Sequence, residues 1–494
     1  SLRRRGPDGW GSRELRGGRI TLLAAVLHLR GREMCEQPAG QIGGDVLCWN
    51  GEVFGGMEVK EHTSDTPVVL DQFSRACAAG GGGGEHFLQA VSRIEGPFAF
   101  IFWEERAKRL WFGRDRLGRR SLLMRRIDGG GYQLSSCAGN IQEKGWEEVT
   151  PDGIFFLQLH DEGGEQERFE LHKTQWPPRV PPLHRSCYIS ATSPTMSMEE
   201  AAQALFLLLD RSVRRRVEGV RRLAGSGMED GSPVAVMFSG GLDSTLLAAL
   251  AHRHVDPSMA IDLINVSFDP FEAPDRYTGV ESLRELRELF PGRRWNLVVV
   301  DVTQEEVEER REEILSLIFP RATQMDFNIG SALWFGSRAA GVVLDDPKED
   351  AGEELSGRPF VSRSSVLLLG MGADEQLCGY SRYRAKMKRG GEEGVLQEMG
   401  RDMERIWQRN LGRDDRCISY HGREARFPFL DEEVVSFLSS LPLSAIADMS
   451  LPPGIGDKLL LRLVAERVGL RRGAQEVKRA IQFGTRIAKQ SNRL

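Results

Sequence analysis

Apolar positions follow two different patterns along this chain, and the change lies near residue 175. Between residues 20 and 160, short apolar runs alternate with Gly, Pro and Asp, which predicts a domain built on a largely antiparallel sheet. The predicted strands of this domain are 20–29, 45–49, 98–103, 109–112, 132–136 and 154–159.

After residue 198 the apolar segments become longer and alternate between helical and strand-like spacing. The strand-like runs are continuously apolar, which indicates burial on both faces, as in a parallel α/β sheet. The last third, beyond about residue 394, has the apolar spacing of helices. The predicted elements before it are a helix over 198–223 and strands at 234–238, 261–268, 296–302 and 366–369.

A Pro-rich, apolar-poor stretch at 176–182 separates the two patterns and marks a linker. A chain of 494 residues is too long for a single hydrophobic core, so two domains are expected. We predict a first domain over residues 1–185, a linker over 186–197 and a second domain over 198–494.

Composition excludes several classes of function. Lys+Arg and Asp+Glu nearly balance at 66 and 71, so a formal charge of −5 gives no broad basic surface for nucleic acid. Seven cysteines form no Cys-x-x-Cys pair, which argues against structural zinc and a disulfide framework. No apolar run approaches the length of a membrane span, and the first residues lack an apolar signal core. We expect a cytoplasmic protein, and the missing initiator Met indicates a chain cut at its N-terminus.

The segment Ser239-Gly240-Gly241-Leu242-Asp243-Ser244 has the composition of a phosphate-binding loop. It lies between a predicted strand and a predicted helix, where glycine backbone, serine hydroxyls and the positive helix end face an anion together. Asp243 adds a carboxylate suited to Mg²⁺. The Lys-Ser/Thr pair of a Walker loop is missing. A plain Gly-Gly turn is the alternative interpretation.

A second loop, Gly370-Met371-Gly372-Ala373-Asp374-Glu375, directly follows the last of the predicted strands. Because the carboxyl ends of parallel strands share one edge of a sheet, we expect Asp374 near Asp243, where the two carboxylates could share one Mg²⁺. Three charge-rich stretches come later, and each taken alone also fits helix ends and surface ion pairs. They are 413–416, 421–431 and 456–462.

Taken together and in this order, these motifs resemble the C-terminal synthetase domain of asparagine synthetases, with its S-G-G-L-D-S, G-x-G-x-D-E, R-x-D-R, E-A-R-x-P-F-L-D and K-x-x-L-R elements. Motifs in the first half resemble the R-G-P-D, H-x-R, N-G-E, S-D and R-D-x-x-G elements of the class II glutaminase domain. These lie at 5–8, 28–30, 50–52, 64–65 and 114–118. The more detailed sequence of some segments, such as 409–416, resembles the divergent branch called asparagine synthetase domain-containing protein 1.

The resemblance implies a fold of α/β and α+β class, with an Ntn-type αββα glutaminase domain followed by a parallel-sheet α/β pyrophosphate-loop ATPase of the adenine nucleotide alpha hydrolase type. It implies Mg²⁺ at Asp243 and Asp374 and a charge-neutralising role for Lys458. It implies that glutamine is held by Arg30, Asn50, Gly51 and Asp65. Asn50 and Gly51 would also donate to the oxyanion of the tetrahedral intermediate. The ATP-binding residues that it implies are Ser239, Gly240, Gly241, Leu242, Asp243, Ser244, Val266, Gly370, Met371 and Gly372.

Three departures from the family pattern affect the chemistry. The N-terminal nucleophilic cysteine of class II glutaminases is absent, and Ser1 lies only a few residues before the R-G-P-D element. Met371 takes the place of a glutamate that handles protons when ammonia attacks, and a thioether has no titratable proton. Met325 and Asn328 take the places of the Thr and Arg that bind aspartate, so a bidentate carboxylate anchor is missing.

The function that the resemblance implies is ATP- and Mg²⁺-dependent activation of aspartate to an acyl-adenylate, which ammonia derived from glutamine converts to asparagine, with AMP and pyrophosphate released. Two alternatives stay open. One is a nucleotide-binding pseudoenzyme that acts as an interaction or regulatory platform, and the other is a related adenylating amidotransferase with a different carboxylate acceptor. The expected partners are small molecules, without nucleic acid or membrane.

Overall fold

The computed structural model describes residues 2–40, 43–79, 84–139, 145–160, 168–179, 196–221, 232–344 and 357–491. Residues 186–195 of the predicted linker lie outside these ranges. The chain divides into two compact units, each built from three segments. The first unit is Ser1–Arg179, Leu315–Ala322 and Ile406–Gly422, and the second is Val180–Ile314, Thr323–Arg405 and Arg423–Leu494.

The first unit contains the antiparallel sheet that the early apolar runs predict. Its strands are β1 (Gly9–Leu15), β2 (Ile20–Val26), β3 (Ala39–Gly40), β4 (Val46–Gly51), β5 (Phe98–Glu104), β6 (Arg109–Arg114), β7 (Leu123–Arg126), β8 (Tyr132–Ser135), β9 (Glu147–Glu148), β10 (Gly153–His160) and β11 (Arg168–Gln175). The main sheet has the order β11-β10-β6-β5-β4-β3, while β1 pairs with β2 and β7 lies between β8 and β9. Strands such as β1 escaped prediction because they are half-exposed and carry polar residues.

Helices α1 (Leu2–Arg5), α2 (Thr66–Ala79) and α3 (Glu85–Arg93) belong to the same unit and were not predicted. The apolar side chains of α2 and α3 pack with those of β4, β5 and β6 in one buried cluster. Val69 and Phe73, both fully buried, are four residues apart, which is the spacing of a helix face. This spacing is the signal that could have identified α2.

The second unit is built on a sheet whose central strands are parallel and buried, as predicted. Its strands are β12 (Val234–Met237), β13 (Ile261–Ser267), β14 (Trp295–Asp301), β15 (Ala340–Leu344), β16 (Gly357–Val361), β17 (Val366–Leu368) and β18 (Glu424–Arg426), in the order β16-β15-β14-β13-β12-β17-β18. The prediction of a parallel sheet is wrong at one edge, because β15 and β16 run antiparallel to their neighbours. The edge strand β16 is largely exposed, so it lacks the burial on both faces that is typical of parallel strands.

The later part of the chain is rich in helices, as predicted. The helix predicted over 198–223 starts after a Ser197 capping box and ends at Val217. Among the helices of the described ranges, none is both long and apolar enough to cross a membrane. The helices are α4 (Met198–Val217), α5 (Leu242–His252), α6 (Pro274–Leu289), α7 (Gln304–Glu309), α8 (Arg311–Ile318), α9 (Gln324–Arg338), α10 (Ala373–Gln376), α11 (Ser381–Ile406), α12 (Gly412–Ser419), α13 (Glu432–Ser440), α14 (Leu459–Val468), α15 (Ile481–Gly484) and α16 (Ile487–Ser491).

Helix α12 and the end of α8 belong to the first unit, although both follow the predicted linker. Buried ion pairs hold them there. Asp415 accepts a 2.9 Å hydrogen bond from Arg5, and Arg416 donates to the Leu317 carbonyl at 2.6 Å and to Glu148 at 3.1 Å. The stretch 413–416 is therefore buried, and its alternative reading as surface pairs is wrong.

Candidate functional site

The loop between β12 and α5 in the second unit is held in the shape of an anion cradle. Gly240 has a φ of 76°, and a Cβ atom there would lie 2.2 Å from the carbonyl group of Thr278. Thr278 Oγ1 donates to the carbonyl of Ser239 at 2.7 Å, and Ser282 Oγ donates to that of Gly240 at 2.7 Å. Helix α6 thus binds the loop carbonyls, and the first amide groups of α5 are left for a ligand.

A buried lysine joins the two carboxylates that the sequence places at this edge of the sheet. Lys458 Nζ lies 2.6 Å from Asp243 Oδ2 and 2.7 Å from Asp374 Oδ1. Lys478 Nζ binds the other oxygen of Asp374. The Lys458 side chain is only 3% exposed, and the residue adopts a φ of 53° where α14 begins. Two lysines and two carboxylates therefore form one ion-pair network beside the predicted phosphate loop, 239–244.

The ion pairs shift the pKa values of Lys458 and Asp374 in the directions that keep both groups ionised. Burial by itself would lower the pKa of Lys458, but Asp243 and Asp374 outweigh burial and raise that pKa above its ordinary value. Burial would likewise raise the pKa of Asp374, but Lys458 and Lys478 hold it well below the usual range. The pocket thus presents fixed charges of both signs at neutral pH.

One pocket of the second unit brings most of the predicted ATP-site residues together: Ser239, Gly241, Leu242, Asp243, Ser244, Gly370, Met371, Asp374 and Lys458. Three predicted residues lie outside its lining. Gly240 faces α6, Val266 is buried within β13, and a Cβ atom on Gly372 would lie 2.4 Å from Leu430. Lys478, which also lines the pocket, was not predicted. Its only signal in the sequence is the basic pair with Arg479 after the K-x-x-L-R element.

The carboxylates fit the coordination that Mg²⁺ requires in nucleotide sites. Among the residues that the structure describes, no group of three or more His, Cys, Asp or Glu side chains could form a metal cage by itself. Mg²⁺ commonly takes one or two carboxylates and completes its octahedron with substrate phosphates and water. Asp243 and Asp374 are suited to that role, since both residues line the pocket.

The three residues that depart from the family pattern in the second unit, Met371, Met325 and Asn328, differ in where they lie relative to the pocket. Met371 lines the pocket and is half-buried. Met325 is 43% exposed at the start of α9, and Asn328 is buried, where it accepts a 3.0 Å hydrogen bond from Gln324. Neither lines the pocket, whereas Leu333 of the same helix does.

In the first unit, Asn50 and Gly51 end strand β4 and pair with Ala99 and Phe98 of β5. A Cβ atom on Gly51 would lie 2.5 Å from the Pro97 carbonyl, so only glycine fits against this neighbour. The position of the two residues is thus fixed by the sheet.

Arg30 and Asp65 bind the main chain next to this strand end. Arg30 Nη1 donates to the carbonyl of Val53 at 3.0 Å, and Asp65 accepts from the amide of Val53 at 3.0 Å. The structure thereby brings all four residues of the predicted glutamine site to one strand end. Glu52, which was not predicted as a site residue although it belongs to the N-G-E element, is buried 4.0 Å from Arg30.

Two family models match the chain. Residues 28–143 match the model described as a glutamine amidotransferase domain, and residues 209–316 and 388–470 match the model described as asparagine synthase. The second match includes the 239–244 loop and Lys458, while Asp374 and Lys478 fall outside it.

Similarity to known proteins extends over nearly the whole chain. Asparagine synthetase domain-containing protein 1 of Gallus gallus is 36% identical and covers 99% of this chain and 93% of its own length. The Homo sapiens protein of the same name is 34% identical, with 99% and 91% covered. Asparagine synthetase [glutamine-hydrolyzing] of Gallus gallus is 25% identical, with 84% and 67% covered.

Proposed function

Because the chain belongs to the asparagine synthetase domain-containing protein 1 family, we propose that its second unit binds Mg²⁺ and ATP and uses them to join ammonia to a carboxylate. The observation that carries this proposal is the convergence of Asp243, Asp374 and Lys458 beside the phosphate loop. The match to asparagine synthase and glutamine amidotransferase models supports the same class of reaction.

ATP binding exchanges the partners of the ion-pair network. The cradle before α5 is suited to the phosphates, and Asp243 and Asp374 would hold Mg²⁺, which would neutralise phosphate charge. Lys458 and Lys478 then direct their ammonium groups to phosphate oxygens. Fixed cations at this place stabilise the negative charge that develops on departing pyrophosphate.

The reaction consists of two displacements. A carboxylate oxygen of the acceptor attacks the α-phosphorus, the bond from that phosphorus to the bridging oxygen breaks, and pyrophosphate leaves. Ammonia then attacks the acyl carbon, AMP leaves with the electron pair of the broken C–O bond, and one proton passes to solvent. Aspartate is the proposed acceptor, and the strand end with Arg30, Asn50, Gly51 and Asp65 is the proposed glutamine site.

A second candidate acceptor is a carboxylate with a less polar side chain. It is supported by the apolar residues Met371, Leu333 and Leu369 in the pocket lining. Met325 and Asn328 lie outside that lining, so the start of α9 supplies no polar side chain to bind the carboxylates of aspartate.

The test is AMP and asparagine formation from ATP, Mg²⁺, aspartate and ammonium, with ammonium replacing glutamine so that the second unit is measured by itself. We expect equal amounts of both products. AMP without asparagine would favour another acceptor, to be identified by replacing aspartate with less polar amino acids. If ATP bound but no acceptor gave a product, the result would contradict an enzymatic function and favour a pseudoenzyme.

Met371→Glu tests whether a missing proton acceptor limits the amidation step. A glutamate at this place supplies general-base help that is typically worth about 10²–10⁴-fold, so we expect asparagine formation to rise while ATP affinity changes little. Met371→Gln is the control, because it has similar size without a titratable group. An equal response of the two variants would contradict the role assigned to position 371.

A further inference from the structure

Helix α6 brings a carboxylate to the pocket that no predicted motif includes. Asp275 lies in the first turn of α6, three residues before Thr278 and so on the same helix face. Thr278 fixes that face to the phosphate loop through its hydrogen bond to Ser239, and Asp275 lines the same pocket. The position of Asp275 relative to a bound nucleotide is therefore set by the loop itself.

Asp275 differs from Asp262, a buried carboxylate in β13. Asp262 accepts hydrogen bonds from Asn296 at 2.8 Å and from Ser362 at 2.6 Å. Asp275 is only 6% exposed, yet within the described part of the chain no hydrogen-bond donor reaches its carboxylate. The carboxylate oxygens of Asp275 are not among the fully enclosed atoms that lack a partner, so they are accessible from the pocket that Asp275 lines. A ligand that supplies a donor would satisfy this carboxylate.

The surroundings of Asp275 limit which ligand can do so. A Cβ atom on Gly484 would lie 2.2 Å from both carboxylate oxygens, so the backbone of α15 closes one side. Burial raises the pKa of Asp275 to about 7, against the opposing effect of Arg479 and Lys478. In its ionised form the carboxylate is acceptor-only, so it would offer a phosphate group no donor, whereas an O–H or N–H group of a ligand could donate to it.

The pocket wall around Asp275 suits a nucleoside. Met237, Leu333 and Ile481 give the pocket apolar surface, while the phosphate loop and the two lysines form its polar part. A nucleoside combines an apolar base face with hydroxyl and amine donors, and it is attached to the phosphates that the loop accommodates. Carboxylates commonly accept hydrogen bonds from nucleotide ribose in other α/β folds.

We propose that Asp275 is a specificity-determining residue of the ATP site and accepts a hydrogen bond from an O–H or N–H donor of the nucleoside. This inference rests on the proposed binding of ATP. It predicts that Asp275 discriminates between ATP and inorganic pyrophosphate, which has the phosphates without the nucleoside.

The experiment compares the Kd of Mg²⁺–ATP and of Mg²⁺–pyrophosphate by calorimetry for the full chain and for Asp275→Ala and Asp275→Asn. Loss of a hydrogen bond to a charged group predicts about 10–100-fold weaker ATP binding by Asp275→Ala, with pyrophosphate binding equal or tighter. Asp275→Asn, which keeps an acceptor oxygen, should retain part of the affinity. Asp262→Asn is the matched control, because it alters a buried carboxylate at the opposite end of β13 and should change neither Kd.

Analogues then identify the donor. The Kd is measured for three ATP analogues, which lack the 2′-hydroxyl, the 3′-hydroxyl or the adenine amine, with wild type and with Asp275→Asn. The analogue that lacks the donor should bind wild type as weakly as ATP binds Asp275→Ala, and Asp275→Asn should then cause no further loss. The second part of this comparison needs only wild type and Asp275→Asn, so it remains decisive if Asp275→Ala does not fold.

Equal weakening of ATP and pyrophosphate would show a structural role and overturn the inference. Unchanged ATP binding by Asp275→Ala and Asp275→Asn would also overturn it and leave the proposed function intact. Failure of wild type to bind either ligand would contradict the proposed ATP site and this inference with it.

Discussion

The two candidate sites hold their polar side chains in different ways. In the first unit, Arg30 and Asp65 both bind the main chain of Val53. In the second unit, Asp243 and Asp374 are bound by lysine side chains. Main-chain partners cannot move without moving the strand end, whereas a lysine side chain can change partners by rotation. The proposed glutamine site is therefore preformed, whereas the proposed ATP site can exchange the partners of its charges.

The exchange follows from the energetics of buried charge. Removing one partner of a buried ion pair leaves an uncompensated charge, which is unfavourable by about 3–5 kcal/mol. Under the proposed function, Mg²⁺ would be a cation for the carboxylates and ATP would bring anions for the lysines, so each charge would keep a partner throughout binding.

The largest effect is expected for Lys458→Met in the second unit. The variant leaves Asp243 and Asp374 without their shared cation, so we expect a loss of about 3–5 kcal/mol in the free energy of unfolding. AMP formation should fall by about 10²–10³-fold because a fixed charge beside the phosphates is lost. Chemical denaturation and AMP release are the measurements.

Lys386→Met is the matched control, because Lys386 forms a half-exposed pair with Glu398. Such surface pairs contribute about 0–1 kcal/mol, and AMP formation should not change. If Lys458→Met lost no more stability than this control, the ion-pair network would not have the importance assigned to it.

The sequence was sufficient for the parts of this network that depend on local chemistry. Asp243 lies in a Gly/Ser loop after one apolar strand and Asp374 in a Gly-rich loop after another, so a parallel sheet has to bring them to one edge. Lys478 could not be located in this way, because it reaches Asp374 from a segment without a regular pattern. Its contact depends on how the C-terminal helices pack.

Burial was the property that local patterns predicted least well. The charged stretch 413–416 is as polar as a surface helix, yet Arg5 and Glu148, far away in sequence, supply its partners. Met325 and Asn328 illustrate the same point, since the first is exposed and the second is buried although both lie in the first turns of α9.

A smaller effect is expected from adding one methyl group to the phosphate loop. Gly240→Ala forces a Cβ atom against Thr278 at a φ of 76°, and backbone strain of this kind is unfavourable by about 1–3 kcal/mol. ATP should therefore bind about 5–100-fold more weakly. Gly241→Ala is the matched control, since its φ is −72° and the nearest side-chain atom is Ser239 Oγ at 3.3 Å. Similar affinities of the two variants would contradict a rigid cradle.

The smallest effect on the ATP reaction is expected from Asp65→Ala, which changes only the preformed site. The Val53 amide loses its acceptor, so the strand end loosens and glutamine should bind about tenfold more weakly, as for a net loss near 1.4 kcal/mol. AMP formation with ammonium should stay within about twofold, because the ion-pair network is untouched. Asp71→Ala on the exposed face of α2 is the control and should alter neither quantity. A parallel loss of ammonium-dependent activity in Asp65→Ala would show that the two sites do not differ in the way proposed, since a site held by its own main chain has no reason to affect a network of side-chain charges.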